Sequence, residues 1–160
     1  MFVIGLDPPI RQGQTRYPFL VFQIDKDEEV EVSLNLTDEQ LEKDFSGKLQ
    51  KDYDAPLYEV LGSVFKALSG RKITVPSTSY KSHHGASAIK CSLKANESFL
   101  YPLERSFLFI PKPPTFIPHS DIASVTVSRV EGAMASRTKT IEMKFNLKGG
   151  GDVAFGGIAR

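Results

Sequence analysis

The sequence predicts a mainly β protein with two helices, an α+β chain built as two small strand modules in tandem. Three observations predict it. Apolar and polar residues alternate with period two in several segments. One segment instead repeats its apolar residues at helical spacing. A polar stretch with no apolar pattern, residues 71–85, then separates two sets of strands. A single larger barrel is the competing architecture.

The strands follow in order. Val30, Val32, Leu34 and Leu36 alternate with Glu31, Ser33 and Asn35, the pattern of a strand with one buried face. Ile89, Cys91 and Leu93 alternate with Lys90, Ser92 and Lys94, and Ile141, Met143, Phe145 and Leu147 with Glu142, Lys144 and Asn146. Further β-rich runs are 2–6, 19–24, 98–101, 107–110, 115–117, 122–130 and 153–155. Gly149, Gly150 and Gly151 turn the last pair into a hairpin. Asp7-Pro8-Pro9 and Pro111-Lys112-Pro113-Pro114 are expected to end strands and set stiff corners, because each proline removes a ladder donor.

The helices carry their own signals. Thr37-Asp38-Glu39-Gln40 has the form of a capping box opening a short helix with Leu41 and Phe45 on it. Leu57, Val60, Leu61, Val64, Phe65 and Leu68 then define a broad apolar face over about 56–69, stopped by Gly70. These elements divide the chain into residues 1–72, a linker 73–85 and residues 86–160. With about three strands before its helices the first module cannot close a barrel, and the second ends on a strand with no matching helix. Both modules are therefore expected to lack one terminal piece.

Composition narrows the function classes. Hydrophobic residues are 41% of the 160, enough for a core, and no apolar run approaches the roughly 18–20 residues of a membrane span. One cysteine, Cys91, leaves no internal disulfide and fits a reducing compartment. Cys91, His83, His84 and His119 lack the paired spacing of a zinc site, and Cys91 falls on the apolar face of its strand. His83 and His84 read as part of an exposed loop. Neither a nucleophile elbow nor a P-loop is present, and Gly149–Gly151 lies in a hairpin rather than before a helix. The expectation is a non-catalytic binding protein without a cofactor.

The net charge of +1 hides a strong asymmetry. Residues 1–56 hold twelve acids against six bases, and residues 57–94 six bases against Glu59 alone. Such a surface meets both basic and acidic partners. The candidate contacts for a basic protein are Asp25, Asp27, Glu28 and Glu29, placed where a hairpin turn should join strands 19–24 and 30–36. The candidate phosphate contacts are Arg71, Lys72, Lys81, Lys90, Lys94 and Lys112. Their density is modest and stacking platforms are lacking, which predicts weak or no direct DNA binding.

Three long segments resemble one family. Ile4-Gly5-Leu6-Asp7-Pro8-Pro9-Ile10-Arg11-Gln12-Gly13-Gln14-Thr15-Arg16-Tyr17 is similar to a signature of the small subunit of the FACT histone chaperone, the structure-specific recognition protein family. So are Gly70-Arg71-Lys72-Ile73-Thr74-Val75-Pro76 and the run from Leu100-Tyr101-Pro102-Leu103-Glu104-Arg105 through Phe107-Leu108-Phe109-Ile110-Pro111-Lys112-Pro113-Pro114. The resemblance implies tandem pleckstrin-homology-like barrels, the first lacking N-terminal strands and the second its C-terminal helix. It also implies a nuclear, chromosome-associated protein that binds core histones. The large FACT subunit would be a partner largely through contacts outside this segment, and no membrane would be involved. Departures from the family fall in the loops 77–85 and 131–137. A phosphoinositide- or phosphopeptide-binding module is the alternative, with Lys90, Lys94 and Arg105 as its only candidates beside Glu97 and Glu104.

Overall fold

A computed structural model describes residues 1–82, 84–129 and 140–159. His83 and the loop 131–137 lie outside the described residues. The chain divides into two compact units, Met1–Thr74 and Val75–Arg160.

The first unit contains two separate antiparallel ribbons and two helices. Strand β1 (Phe2–Gln12) pairs with β2 (Thr15–Phe22). Their ladder runs from Phe2 opposite Phe22 to Gly5 opposite Phe19, breaks, and resumes from Ile10 opposite Tyr17 to Gln12 opposite Thr15. Pro8 and Pro9 therefore do not end the strand as expected. They sit in the break, where no ladder donor is required of them.

Strand β3 (Glu29–Ser33) pairs not with β2 but with β4 (Asp52–Pro56), a strand the sequence pattern did not reveal. The segment between β2 and β3 is consequently a connection between two sheets, not the expected hairpin turn. Helix α1 (Asp38–Phe45) fills the excursion from β3 to β4. Its capping box is complete: Gln40 N–H donates to Thr37 Oγ1 at 3.2 Å and Thr37 N–H to Gln40 Oε1 at 2.9 Å.

Helix α2 (Leu57–Ser69) follows β4 directly and ends at Gly70 in the left-handed conformation (φ +65). Val60 is buried, whereas Leu68, predicted for the apolar face, is 59% exposed at the final turn. Phe2 links ribbon and helix, its ring 6.4 Å from Phe22 and 5.9 Å from Phe65. Gly62 interrupts good helix formers for a packing reason. Ile73 folds back over it, and a Cβ there would stand 3.2 Å from Ile73 Cδ1.

The second unit is one seven-stranded antiparallel sheet in the order β8-β7-β6-β5-β11-β10-β9. Its strands are β5 (Ile89–Leu93), β6 (Asn96–Pro102), β7 (Ser106–Ile110), β8 (Thr115–Pro118), β9 (Ile122–Arg129), β10 (Thr140–Leu147) and β11 (Asp152–Ala159). The prolines 111–114 form the β7–β8 corner as expected, and the Gly149–Gly151 turn joins β10 to β11. The sheet curls on itself into a half-barrel. Phe107 on β7 lies 4.8 Å from Phe145 on β10, although three strands separate them in the sheet.

The bend is made at Gly156 and Gly157, where the β10–β11 register shifts, Gly157 takes φ +68 and Ser92 Oγ donates to the Gly156 carbonyl at 3.2 Å. Cys91, Leu93, Leu100, Phe109, Ile117, Phe145, Phe155 and Ile158 form the resulting core. They are the inward positions of the alternating pattern, and Leu100, Phe109, Phe145 and Phe155 are fully buried.

Candidate functional site

The pairing of β3 with β4 turns scattered acids into a ladder. Glu29, Glu31 and Ser33 stand opposite Pro56, Asp54 and Asp52. Because side chains alternate between faces, these residues share the outer face, while Val30, Val32, Tyr53 and Ala55 take the inner one. Glu29, Glu31, Asp52 and Asp54 thus form one exposed carboxylate face. Glu31 and Asp54 are direct cross-strand neighbours, whose Cβ atoms lie about 4.5–5.5 Å apart in such a pair.

Within that face Ser33 Oγ donates to Asp52 Oδ1 at 2.6 Å. Among the described residues no Lys or Arg pairs with these four acids, the nearby ion pair being Lys51 with Asp38 at 3.7 Å.

Asp25, Asp27 and Glu28 are exposed in the connection that enters β3, and Glu29 is the first residue of the ladder itself. Asp27 N–H donates to Asp25 Oδ1 at 3.3 Å, and the Glu28 carbonyl accepts from Leu57 N–H at 2.8 Å, which ties the connection to the start of α2. Asp52 and Asp54 escaped sequence reasoning because β4 is short and buries only Tyr53. The alternation Asp52-Tyr53-Asp54-Ala55 was its one signal.

The basic candidates are not gathered in this way. Arg71 and Lys72 follow α2 in the first unit, exposed. In the second, Lys81 Nζ donates to Ser87 Oγ at 3.2 Å in the loop before β5. Lys90, on the outer face of β5, pairs with Glu97 at 3.8 Å. Lys94 occupies the β5–β6 turn with φ +56, and Lys112 the proline corner between β7 and β8. Arg105, in the β6–β7 turn, is separated from Lys94 by the length of β6, about 20 Å for seven residues at strand rise.

Cys91 is 3% exposed, and burial pushes its thiol up to about 11, with a backbone hydrogen bond at Leu100 pulling weakly the other way. It is a packed apolar side chain, as its strand position predicts, and at neutral pH it holds no thiolate for nucleophilic work or metal ligation. His84 is exposed.

Residues 1–73 match the family described as SSRP1 PH domain, and residues 87–160 the middle domain of the histone chaperone Rttp106-like family. Over its whole length the chain is 48% identical to the FACT complex subunit pob3 of Aspergillus oryzae and 49% identical to that of Schizosaccharomyces pombe. Each half of the chain is thus similar to a family of such modules, and the whole chain to one segment of FACT complex subunits. The chain spans 28% and 31% of the length of those two relatives. The ribbons and helices of the first unit accordingly lie in the region similar to a PH domain, and the curled half-barrel in the region similar to a histone chaperone middle domain.

Proposed function

We propose that this chain is a histone-binding module of a FACT-type histone chaperone, working in the nucleus on chromatin to reorganise nucleosomes during transcription, replication and DNA repair. Its partners would be core histones and, in the full complex, the large FACT subunit. The observation that carries the reading is the face formed by Glu29, Glu31, Asp52 and Asp54, four carboxylates without a cation among the described residues. Holding such a face together costs cross-strand repulsion. A basic protein relieves that repulsion on binding, and the acids Asp25, Asp27 and Glu28 extend the same charge along the chain.

Titration of the chain with core histones at moderate salt tests this. Replacing Glu29, Glu31, Asp52 and Asp54 by lysine removes exposed contacts worth about 0.2–1 kcal/mol each, so affinity falls roughly tenfold or more. A second variant, with Asp27, Glu28 and Glu29 changed to lysine, separates the connection from the ribbon. Unchanged affinity in both at low salt, where exposed charges act most strongly, would exclude the acidic face. Phosphoinositide binding is not favoured by the geometry, because Lys90 is paired with Glu97 and Lys94 and Arg105 stand at opposite ends of β6.

A further inference from the structure

The segment that leaves α2 runs exposed. Gly70 ends the helix, and residues 70–77 belong to no helix, strand or turn. All of residues 70–76 are exposed, Ile73 by 49% and Val75 by 68%. Two local contacts fix the start of the segment. Arg71 N–H donates to Ser69 Oγ at 3.2 Å, and Ile73 reaches back over Gly62 of the helix. Further on, Pro76 biases Val75 toward extended backbone.

Thr74 stands within that segment, exposed, and its hydroxyl makes no hydrogen bond among the described residues. Arg71 lies three residues before it and Lys72 two, and neither is in an ion pair among the described residues. An apolar residue, Val75, follows it. No other Ser or Thr of the 160 residues has a base at both of those preceding positions. Neighbouring hydroxyls are engaged. Ser69 Oγ donates to the Phe65 carbonyl at 2.6 Å, and Ser77 and Ser79 share a hydrogen bond of 2.5 Å.

We infer that Thr74 is a phosphorylation site for a basophilic serine/threonine protein kinase. Kinases separate their substrates by charge pattern, and carboxylates in the cleft of a basophilic one pair with Arg71 and Lys72. A segment already outside helix and strand has no ladder to break before it lies extended in such a cleft, which keeps the ordering cost small. Thr74 Oγ1 attacks the γ-phosphorus of a magnesium-bound nucleoside triphosphate in line. The new O–P bond forms as the bond to the β–γ bridging oxygen breaks, the hydroxyl proton passes to a kinase carboxylate, and nucleoside diphosphate leaves. The phosphate brings about −1.5 to −2 charges to a position three residues from Arg71. Arg71 and Lys72 then pair with a phosphate of their own chain, which withdraws them from any acidic or phosphate-bearing partner. The inference concerns neither ribbon and does not depend on the histone reading.

The experiment treats the chain with the catalytic domain of a basophilic kinase, ATP and Mg²⁺, and locates the phosphate by tandem mass spectrometry. The parent should take up one phosphate, on Thr74. T74A should fall to background, and T74S should keep the modification because it keeps the hydroxyl. R71A/K72A should lower kcat/KM for the chain roughly tenfold or more, since each base answers a cleft carboxylate. Its melting should match that of the parent, because both side chains are exposed. Any of three results overturns the inference: no uptake by the parent, uptake by T74A equal to that of the parent, or unchanged kcat/KM in R71A/K72A. Uptake by a synthetic peptide of residues 68–79 but not by the folded chain would also overturn it, because the fold would then shield Thr74.

Discussion

In the second unit, charges on neighbouring strands are complementary; in the first they are alike. Lys90 pairs with Glu97 across β5 and β6, and Lys144 with Asp152 at 3.1 Å across β10 and β11. In the first unit Arg11 faces Arg16, and Glu31 faces Asp54. Burial divides the same way. The seven-stranded sheet encloses an eight-residue core with four side chains fully buried, whereas the first unit buries Leu41, Leu49, Tyr53 and Val60, none of them completely. An isolated two-stranded ribbon is marginal in water. A unit made of two such ribbons, each weakened by like charges, keeps surfaces that an oppositely charged partner can stabilise. Among the described residues the strands of the half-barrel place no like charges directly opposite each other, and its closed core makes it the more self-sufficient unit.

The largest expected effect lies in that unit. Phe145 is fully buried and touches both sides of the curl, its ring 4.8 Å from Phe107 and 5.7 Å from Phe155. Phe145→Ala should cost about 3–5 kcal/mol, because the cavity is bounded by bent sheet that relaxes poorly. Urea unfolding followed by circular dichroism measures the loss. A cost under about 1 kcal/mol would mean that the curl is not closed through this ring.

The first unit is held more by local devices, and the next effect is correspondingly smaller. Thr37→Ala removes the hydroxyl half of the capping box at the start of α1 and leaves the backbone N–H of residue 37 to donate to Gln40 Oε1, at a cost of about 1 kcal/mol. Melting should fall by about 4–8 °C if the first unit unfolds on its own as a domain of that size. A Thr37→Ser variant, which keeps the hydroxyl, should recover most of the loss. Failure to do so would shift the effect from the cap to packing of the Thr37 methyl.

Much of this was legible in the amino-acid order, and the limits have physical causes. Alternation locates β5 and β10, whose inward faces lie in a real core, as with Cys91 and Leu93 or Phe145 and Leu147, and β-rich composition locates the others, including β9, which is exposed after Ile122. Side-chain chemistry located α1, since Thr37 and Gln40 act within four residues of each other. Pairing was not legible where burial is thin. Strand β4 has Tyr53 as its one buried residue, so Asp52 and Asp54 read as loop acids. Without β4 the amino-acid order points to pairing of β3 with β2 and to a hairpin turn at Asp25–Glu29, where the structure has a connection between two sheets. Pro8 and Pro9 pointed to a strand end because sequence alone does not show that the ladder skips them. The candidate site was half visible: Glu29 belongs to the acidic face, but that face exists only once register brings in Glu31, Asp52 and Asp54.

The smallest effect tests the contrast most directly. In Glu31→Lys a lysine replaces one of two opposed acids, so the pair with Asp54 changes from repulsive to attractive. An opposite-charge cross-strand pair contributes about 0.2–1 kcal/mol, so the variant should unfold at slightly higher urea than the parent. Its affinity for core histones should fall over the same comparison, because a charge reversal removes one contact and repels the ligand. A gain in stability coupled to a loss of binding is the signature of a residue retained at the expense of the fold. A drop in both would mean that Glu31 supports the ribbon, and the division between a charge-complementary half-barrel and a like-charged contact unit would fail at its central pair.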